Sequence, residues 1–304
     1  MTKNNTFDVI IIGGSYSGLS AAMALGRALR NVLVIDSGKP CNRQTPHSHN
    51  FITQDGKTPE EISTVAKEQV GRYPTVEFYP GMAIAAKKVG DAFIITTQQN
   101  HSFRAKKLIL AMGIKDVMPN IAGFAECWGI SVIHCPYCHG YEVSHQKTGI
   151  LASGDMAFHY AQLIRNWTKD LTIFTNGKAT FTREQLQKLE KHTIPIIEKE
   201  VTALKHDQGK LEELVFSDGS TFSLKAAYAR PEFEHHSDIP KQLGCELTEQ
   251  GLIKVDTLQK TTVDGVFSCG DMASPFRAVS HAVAAGTTAG VMLNNEMILD
   301  EFQP

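Results

Sequence analysis

The chain has 304 residues, of which 42% are hydrophobic and 20% charged, and its 30 basic side chains nearly balance its 32 acidic ones. At about 100 to 200 residues per domain, this length predicts two globular domains, and the composition excludes a disordered chain or a disulfide-held mini-protein. With a net charge of −2 and no Lys/Arg run longer than two, the chain lacks the basic surface that binds phosphate backbones, so we expect no nucleic-acid partner.

The N-terminal region lacks the basic segment, apolar segment and cleavage site of a signal peptide, and no stretch reaches the roughly 18 apolar residues of a membrane span. We therefore expect no membrane partner and a cytoplasmic location. In a reducing compartment most of the six cysteines should be inert, and we interpret Cys127, Cys245 and Cys269 as core thiols.

The first 40 residues have a βαβ pattern. An apolar strand over 7–12 precedes a glycine-rich turn, an alanine-rich helix extends to about Leu29, and a second strand over 32–35 ends in Asp36. This order is typical of a dinucleotide-binding unit.

The turn itself reads Gly13-Gly14-Ser15-Tyr16-Ser17-Gly18, which fits G-x-G-x-x-G except for a serine at the middle glycine. Gly13 permits the sharp turn, Gly18 lets helix and strand pack closely, and the helix amides would face a pyrophosphate. Asp36 follows Gly18 by eighteen residues and can accept hydrogen bonds from a ribose. An ordinary strand-to-helix turn is the alternative, but the complete context favours a dinucleotide.

Two later segments fit the same sheet. A strand over 107–111 is followed by Gly113, and a strand over 265–269 is followed by Gly270-Asp271 and a helix predicted over 278–293. Because ligands of open α/β sheets bind outside the carboxyl ends of the strands, we expect Gly113 and Asp271 at the ligand crevice.

A second, altered βαβ unit comprises a strand over 148–151, a turn over 152–157, a helix to about Trp167 and a strand over 171–174. Its first motif glycine is replaced by Ala152, whose Cβ would crowd a strained backbone. No acid and no arginine cluster follows the second strand. We therefore expect weak or no binding of NAD(P)H.

Cys135 and Cys138 form a Cys-x-x-Cys pair flanked by His134 and His139. Such a pair can close a disulfide, and a neighbouring imidazolium would stabilise a thiolate. A zinc site is one alternative, but it commonly needs two such pairs and the other cysteines are isolated. Two buried structural thiols are the other alternative. We expect no metal.

Together these motifs resemble those of the low-molecular-weight thioredoxin reductases, flavoproteins in which a pyridine-nucleotide domain with Cys-x-x-Cys interrupts an FAD domain. The resemblance extends over nearly the whole chain. Its elements are the turn over 13–18 with Asp36, Ala111-Met112-Gly113 as a variant of Ala-Thr-Gly, the segment over 135–140, the altered turn over 152–157, and Gly270-Asp271.

This resemblance implies an α/β fold with two Rossmann-like three-layer domains. The FAD-binding domain would comprise residues 1–117 and 246–304, interrupted by a smaller domain over 118–245 that carries the cysteine pair. By the same resemblance we expect a homodimer formed through the FAD domains.

Three departures from the thioredoxin reductase pattern stand out. Cys138 is followed by His139 where the family has an aspartate, the last helix opens with Ser280-His281-Ala282 instead of Arg-Gln-Ala, and the basic cluster that selects NADPH is missing. This combination resembles the thioredoxin-reductase-like dithiol oxidases, which close a disulfide in a small dithiol and pass the electrons from flavin to oxygen.

The resemblance assigns Cys138 the position next to the flavin and Cys135 the exchange with substrate. His139 is the favoured general base, because an imidazole with a pKa of about 6.5 can take and return a proton near neutral pH, and His281 is the second candidate. The residues expected to contact FAD are Gly13, Gly14, Ser15, Ser17, Gly18, Asp36, Arg43, Asn50, Ala111, Gly113, Gly270, Asp271, His281 and Ala282.

Three functions remain open. The first is an FAD-dependent thiol/disulfide oxidoreductase with weak or no use of NAD(P)H, acting as a dithiol oxidase or as a reductase with another electron donor. The second is an NAD(P)H-dependent thioredoxin reductase, and the third is a non-enzymatic flavin redox sensor. The expected partner is a small-molecule dithiol or disulfide, or a thioredoxin-like protein.

Overall fold

The structure, a computed structural model, describes residues 5–303, which form two compact units. The first unit comprises residues up to 43, 50–115 and those from 234 onward, and the second comprises 44–49 and 116–233. The ends of the predicted FAD domain, residues 1–4 and 304, lie outside the described residues. The assignment of a cofactor to each predicted domain stays a prediction.

The described residues contain 17 strands, and those predicted over 7–12, 32–35, 148–151 and 171–174 are confirmed to within a residue. The strands are β1 (Thr6–Ile12), β2 (Val32–Asp36), β3 (Val76–Pro80), β4 (Ala83–Val89), β5 (Ala92–Thr97), β6 (Ser102–Leu110), β7 (Ile114–Val117), β8 (Val132–Ile133), β9 (Thr148–Leu151), β10 (Leu171–Phe174), β11 (Ile196–Ile197), β12 (Val201–Asp207), β13 (Lys210–Phe216), β14 (Thr221–Ser223), β15 (Ala226–Ala229), β16 (Glu232–His235) and β17 (Val266–Ser268).

Eight helices lie within the same residues. They are α1 (Tyr16–Arg27), α2 (Pro59–Val70), α3 (Phe124–Cys127), α4 (Pro136–His139), α5 (Gly154–Ile164), α6 (Arg183–Lys191), α7 (Ile239–Leu243) and α8 (Val279–Phe302). Helix α1 ends before the predicted Leu29 because that residue has a φ of 61°, outside the helical region.

The sheet of the first unit has the order β3-β2-β1-β6-β5-β4, with β17 also paired to β6. Strands β1, β2, β3, β6 and β17 are parallel, whereas β4 and β5 pair antiparallel to their neighbours. The carboxyl ends of β1, β2, β6 and β17 therefore meet at one edge. The predicted first βαβ unit is confirmed.

Helices α1 and α8 share one hydrophobic core with β1, β2 and β6. A Cβ on Gly286 of α8 would overlap the carbonyl group of Ser17 on α1, and one on Gly290 would lie 2.7 Å from the carbonyl oxygen of Ala21. These two glycines, one helical turn apart, let the helices pack backbone to backbone.

Helix α8 is longer than predicted, since it ends at Phe302 and not at Leu293. In this last part Met297 continues the apolar face into the core, and charged contacts are added to it. Lys107 lies 2.7 Å from Glu296 and 2.8 Å from Asp300, and its side chain is only 12% exposed. These ion pairs join the end of α8 to β6, and hydrophobic patterning does not record them.

The second unit contains a parallel sheet in the order β11-β10-β9-β15-β8 and a separate antiparallel sheet β12-β13-β14. Strand β15 is buried at all four residues. Helix α5 packs its residues Ala157, Tyr160 and Ile164 against β8, β9 and β10. The predicted second βαβ unit, β9-α5-β10, is confirmed, although α5 ends before the expected Trp167.

Candidate functional site

The turn between β1 and α1 has no space for side chains at its first and last positions. Gly13 has a φ of 107°, and a Cβ there would overlap the carbonyl group of Ala111. A Cβ on Gly18 would overlap the carbonyl oxygen of Gly13. Ser15 has a φ of −92°, so a serine is accommodated where the consensus has its middle glycine.

Five more of the predicted FAD residues lie around this turn. A Cβ on Gly14 would be 2.7 Å from the Cβ of Asp36, and one on Gly270 would be 2.6 Å from the Oγ of Ser17. Ala282 packs in a buried cluster with the first residue of α1. The structure therefore brings the turn, the end of β2, the loop after β17 and the start of α8 together at the carboxyl edge of the sheet.

Three further predicted residues follow the strands of this sheet. Gly113, after β6, has a φ of 67°. Asp271, after β17, has an oxygen 3.7 Å from the Nε of Arg277. His281 lies in the first turn of α8 with its ring 5.7 Å from that of Phe276, and its place beside a flavin stays a prediction.

Arg43 and Asn50 are exposed and form local contacts. A guanidinium nitrogen of Arg43 donates to the carbonyl oxygen of Pro40 at 3.1 Å. Asn50 has a φ of 59°, and its backbone N–H donates to the carboxylate of Asp55 at 2.8 Å. Their part in FAD binding stays a prediction.

The N-termini of α1 and α8 differ from those of α2 and α6. Thr58 and Thr182 form complete capping boxes at the start of α2 and α6. Helices α1 and α8 have no side-chain cap and no acid in their first turn. Their backbone N–H groups and positive dipole ends are therefore available to an anion such as a pyrophosphate.

The second glycine turn has a different conformation from the first. In this turn Gly154 has a positive φ of 58°, whereas the φ of Ala152 is not positive. Gly154 occupies the motif position that Ser15 has in the first turn, and Ala152 occupies that of Gly13. The strain expected at Ala152 is absent, because this turn places its left-handed residue elsewhere.

The loop after β10 uses its polar groups internally. The Thr175 hydroxyl donates to the carbonyl oxygen of Gly177 at 2.6 Å, and the Asn176 side chain accepts from the N–H of Val201 at 2.7 Å. A carboxylate oxygen of Glu198 accepts from the N–H of Ala179 at 2.7 Å.

The cysteine pair lies at the start of α4. Cys135 is the N-cap in an extended conformation, and Pro136 begins the helix. The sulfur of Cys138 lies 3.0 Å from that of Cys135, so the pair is in its reduced, dithiol form. The hydrogen bond from the Cys138 thiol lowers the pKa of Cys135 to about 7, against the effect of burial and with help from the backbone N–H groups of Cys138 and Tyr137.

His139, the last residue of α4, lies near two ionisable side chains, those of His49 and Glu142. Its ring lies edge-on to that of His49, with centroids 6.3 Å apart, and His49 Nε2 is 3.4 Å from a carboxylate oxygen of Glu142. Burial lowers the pKa of His139, the Glu142 carboxylate raises it and His49 lowers it. Because the net effect lowers the pKa of His139, its imidazole favours the neutral form, which can accept a proton.

Sequence reasoning missed Tyr228, on β15. Its side chain is 1% exposed, and within the described residues its hydroxyl has no hydrogen-bond partner. It lies 6.2 Å, ring to ring, from Tyr160, whose hydroxyl donates to the carbonyl oxygen of His134 at 3.1 Å. Ninety residues separate Tyr228 from Cys138, so no local motif points to it.

The three cysteines predicted to be core thiols behave as expected from the sequence. Cys127, Cys245 and Cys269 are buried, and burial raises the pKa of each. Residues 5–303 contain no cluster of three or more His, Cys, Asp or Glu side chains arranged for a metal ion. Among the same residues, no helix has the length and apolar character that crossing a membrane requires.

A groove of about 550 Å³ lies between α5 and α6, with Arg165, Lys169, Lys188 and Lys191 among its lining residues. Lys188 and Lys191 belong to the last turn of α6, and Lys169 donates to the carbonyl oxygen of Arg165 beyond the end of α5 at 2.8 Å. Cations at helix C-termini complement the dipole, which accounts for this charge without a ligand.

A glycine turn that excludes side chains at Gly13 and Gly18 lies in one α/β unit, and a Cys-x-x-Cys pair lies in the other. This combination is typical of the nucleotide-binding disulfide oxidoreductases. The family model described as "Pyridine nucleotide-disulphide oxidoreductase" matches residues 7–288. The chain belongs to this family, and it is an FAD-dependent, thioredoxin-reductase-like enzyme.

Thioredoxin reductase tcpT of Claviceps purpurea is 32% identical over 320 residues, covering 99% of this chain and 97% of that protein. The crystal structure of an oxidoreductase from Agrobacterium tumefaciens has a TM-score of 0.90 and 39% identity, covering 97% of this chain and 99% of that one. A putative thioredoxin reductase TrxB from Bacillus anthracis has a TM-score of 0.92 and 29% identity over 97% and 100% of the two chains. The predicted family and two-domain Rossmann-like α/β fold are confirmed.

FAD is the cofactor of this family, and the residues of the first unit fit it. The closed turn at Gly13 and Gly18 lets a pyrophosphate approach the uncapped start of α1. Asp36 lies at the end of β2, as ribose recognition requires, with Oδ2 3.3 Å from the Nζ of Lys67. Bound there, FAD supplies a two-electron acceptor and donor.

Proposed function

We propose that this enzyme is a thiol/disulfide oxidoreductase in which Cys135 and Cys138 form the redox-active pair and exchange two electrons with FAD. The observation that carries the proposal is the sulfur–sulfur distance of 3.0 Å together with the lowered pKa, about 7, of Cys135. The thiolate is the attacking species in thiol–disulfide exchange. About half of a thiol with that pKa is ionised at neutral pH, so this pair is prepared for exchange.

The proposed reaction begins with the enzyme disulfide. A substrate thiolate attacks the sulfur of Cys135, the Cys135–Cys138 bond breaks, and Cys138 leaves as a thiolate. The second substrate thiolate then attacks the substrate sulfur of the mixed disulfide, releasing a substrate disulfide and the Cys135 thiolate. His139 accepts the proton of the substrate thiol. The enzyme dithiol returns to a disulfide when its two electrons pass to FAD.

We propose in addition that NAD(P)H is used weakly or not at all. Ribose recognition would fall on the loop after β10, where the side chains of Thr175 and Asn176 are already bonded within the unit. The carboxylate of Glu198, bonded to Ala179, adds a negative charge to the same loop. A 2′-phosphate would meet repulsion there instead of an arginine pair. The electron partner would then be oxygen, as in a dithiol oxidase, or another donor.

An NAD(P)H-dependent thioredoxin reductase is the second candidate. Helix α5 begins without a side-chain cap, so its backbone amides can hold a pyrophosphate without the consensus glycine. Relatives from Claviceps purpurea and Helicobacter pylori are named thioredoxin reductases, which supports a thioredoxin-like protein as the disulfide partner. A small-molecule dithiol is the partner under the first candidate.

Anaerobic stopped-flow absorbance separates the two candidates. Oxidised holoenzyme is mixed with NADPH, with NADH or with a dithiol such as dithiothreitol, and flavin absorbance is followed. We expect bleaching with the dithiol, recovery in air with formation of hydrogen peroxide, and little bleaching with either nucleotide. Rapid bleaching with NADPH or NADH would overturn the nucleotide-independent proposal in favour of the reductase.

A matched pair of variants tests the role of the dithiol. Cys138→Ser should keep bound FAD but lose dithiol-driven bleaching, whereas Cys245→Ser, which alters a buried thiol elsewhere, should bleach like the wild type. Unchanged bleaching in Cys138→Ser would remove the pair from the reaction. Neither turnover nor peroxide in the wild type would favour the redox-sensor function.

Two expectations accompany the proposal, namely assembly as a homodimer and a cytoplasmic location. Light scattering after size-exclusion chromatography should give twice the mass of the chain, and the mass of a single chain would contradict the dimer. Fractionation of the source cells should recover the protein with cytoplasmic markers.

A further inference from the structure

Tyr228 presents a buried hydroxyl that the fold does not use. The side chain is 1% exposed, and among the described residues no group bonds to its oxygen. Leaving a buried polar group unpaired costs free energy, so such a group usually has a function or a partner that comes and goes.

The register of the parallel sheet places Tyr228 beside the cysteine pair. Tyr228 of β15 is opposite Ile133 of β8, and Cys135 follows Ile133 by two residues in an extended conformation. Because side chains alternate along a strand, Cys135 continues the face shared by Ile133 and Tyr228. Both Ile133 and Tyr228 belong to the same buried cluster.

The hydroxyl lies against the back of the α4 turn. A Cβ on Gly140, which ends α4, would be only 3.0 Å from the Tyr228 oxygen, and the Gly140 N–H is bonded to the carbonyl oxygen of Pro136. The tyrosine therefore abuts the turn that carries both cysteines. Burial first, and then the negative charge of the Cys135 thiolate, raise the pKa of Tyr228, so the phenol stays protonated and can only donate to that thiolate.

We propose that the Tyr228 hydroxyl donates a hydrogen bond to the sulfur of Cys135 when that thiol ionises. This inference rests on the proposed function, because it needs a cycle in which Cys135 alternates between disulfide and thiolate. In the dithiol that the structure describes, the phenol has no hydrogen-bond partner. After ionisation of Cys135, the phenol stabilises the thiolate that re-forms the enzyme disulfide.

The test compares Tyr228→Phe with Tyr160→Phe in the reduced holoenzyme. Each variant lacks one hydroxyl of the same buried cluster. Only Tyr160→Phe loses a hydrogen bond that the structure contains, the one to the carbonyl oxygen of His134. Iodoacetamide labelling of Cys135 is measured by peptide mass spectrometry as a function of pH. We expect the labelling midpoint to rise by about 1 pH unit in Tyr228→Phe, the effect of one hydrogen bond to a charged group, and to stay unchanged in Tyr160→Phe.

A midpoint in Tyr228→Phe equal to that of the wild type would overturn the inference. As a functional readout, dithiol-driven flavin reduction should fall about twofold at pH 7 and rise above the wild-type rate at pH 9. The enzyme disulfide re-forms from the Cys135 thiolate, and a rise of about one unit in its pKa lowers the thiolate fraction about fivefold at pH 7 but little at pH 9, while the more basic thiolate is about threefold more nucleophilic. A loss of equal size at both pH values would indicate a structural defect and contradict the proposal.

Tyr228→Phe should fold, because it breaks no hydrogen bond among the described residues, and its melting temperature checks this. If it does not fold, replacing the seven tyrosines with 3-fluorotyrosine gives a second test. The more acidic phenol is a stronger donor and should lower the Cys135 midpoint, and an unmoved midpoint would refute the inference. Labelling of Cys135 does not require turnover. A failure of the proposed function would appear as no flavin bleaching by dithiols, whereas a failure of the Tyr228 assignment would appear as an unchanged labelling midpoint.

Discussion

The lowered pKa of Cys135 depends first on the thiol of Cys138, and Cys138→Ala tests this dependence. Removing the thiol at 3.0 Å takes away the largest stabilising contact of the Cys135 thiolate and leaves the opposing effect of burial. We expect the labelling midpoint of Cys135 to move from about 7 to its ordinary value of 9.0 or above. Cys138→Ser retains a hydroxyl donor, so its midpoint should stay closer to that of the wild type.

The labelling rate changes less than the midpoint. At pH 7, a rise of the Cys135 pKa from about 7 to 9.0 reduces the thiolate fraction about 50-fold. A more basic thiolate is about eightfold more nucleophilic over this range, so the net labelling rate at pH 7 falls only about sixfold. The assay is therefore a full pH profile with iodoacetamide and mass spectrometry. A midpoint near 7 in Cys138→Ala would refute the reasoning.

Three more predictions concern FAD binding, stability and pH dependence. Gly18→Ala forces a Cβ into a backbone carbonyl, and the purified variant should lack FAD absorbance. Lys107→Met should lower the free energy of unfolding by about 1–3 kcal/mol in urea titrations, against about 0–1 kcal/mol for Lys254→Met, whose pair with a glutamate is exposed. Glu142→Gln removes a charge that raises the pKa of His139, so the acidic limb of dithiol-driven reduction should move to lower pH.

Each of these three predictions, on FAD binding, stability and pH dependence, has its own control variant and its own contradicting result. Gly71→Ala, at a helix end with a φ of −64°, should keep FAD, and full FAD in Gly18→Ala would contradict the turn geometry. Equal losses of stability in both lysine variants would contradict the role of burial. His49→Gln removes a group that lowers the pKa of His139, so its acidic limb should move to higher pH. Shifts of the same sign in both variants would exclude His139 as the base.

The parts of the site that depend on short-range pattern were predictable from the sequence. The turn at Gly13 and Gly18, its acid Asp36, and the strands that lead to Gly113 and Gly270 follow from apolar periodicity and glycine spacing. Because parallel strands end at one edge, these residues meet as expected. The prediction of α8 stopped at Leu293, four residues before Met297, which still packs in the core, and it did not record the ion pairs of Glu296 and Asp300 with Lys107.

Other parts of the site depend on backbone angles and long-range packing. Glycine spacing alone does not reveal that Ala152 is unstrained while Gly154 has the positive φ. Of the two ionisable neighbours of His139, Glu142 is local, but His49 lies in a loop 90 residues earlier. Tyr228 comes near the end of α4 only through the register of β15 with β8. The neighbours of His139 and Tyr228 are therefore set by the folded chain and not by local sequence.

The most direct measurement of the central claim is an anaerobic reductive titration of the holoenzyme with dithionite. If a disulfide at Cys135 and Cys138 shares electrons with FAD, the wild type should consume one two-electron equivalent more than Cys138→Ser before the flavin is fully reduced. Equal consumption by the two proteins would show that the sulfurs store no electrons in this enzyme and would contradict the account.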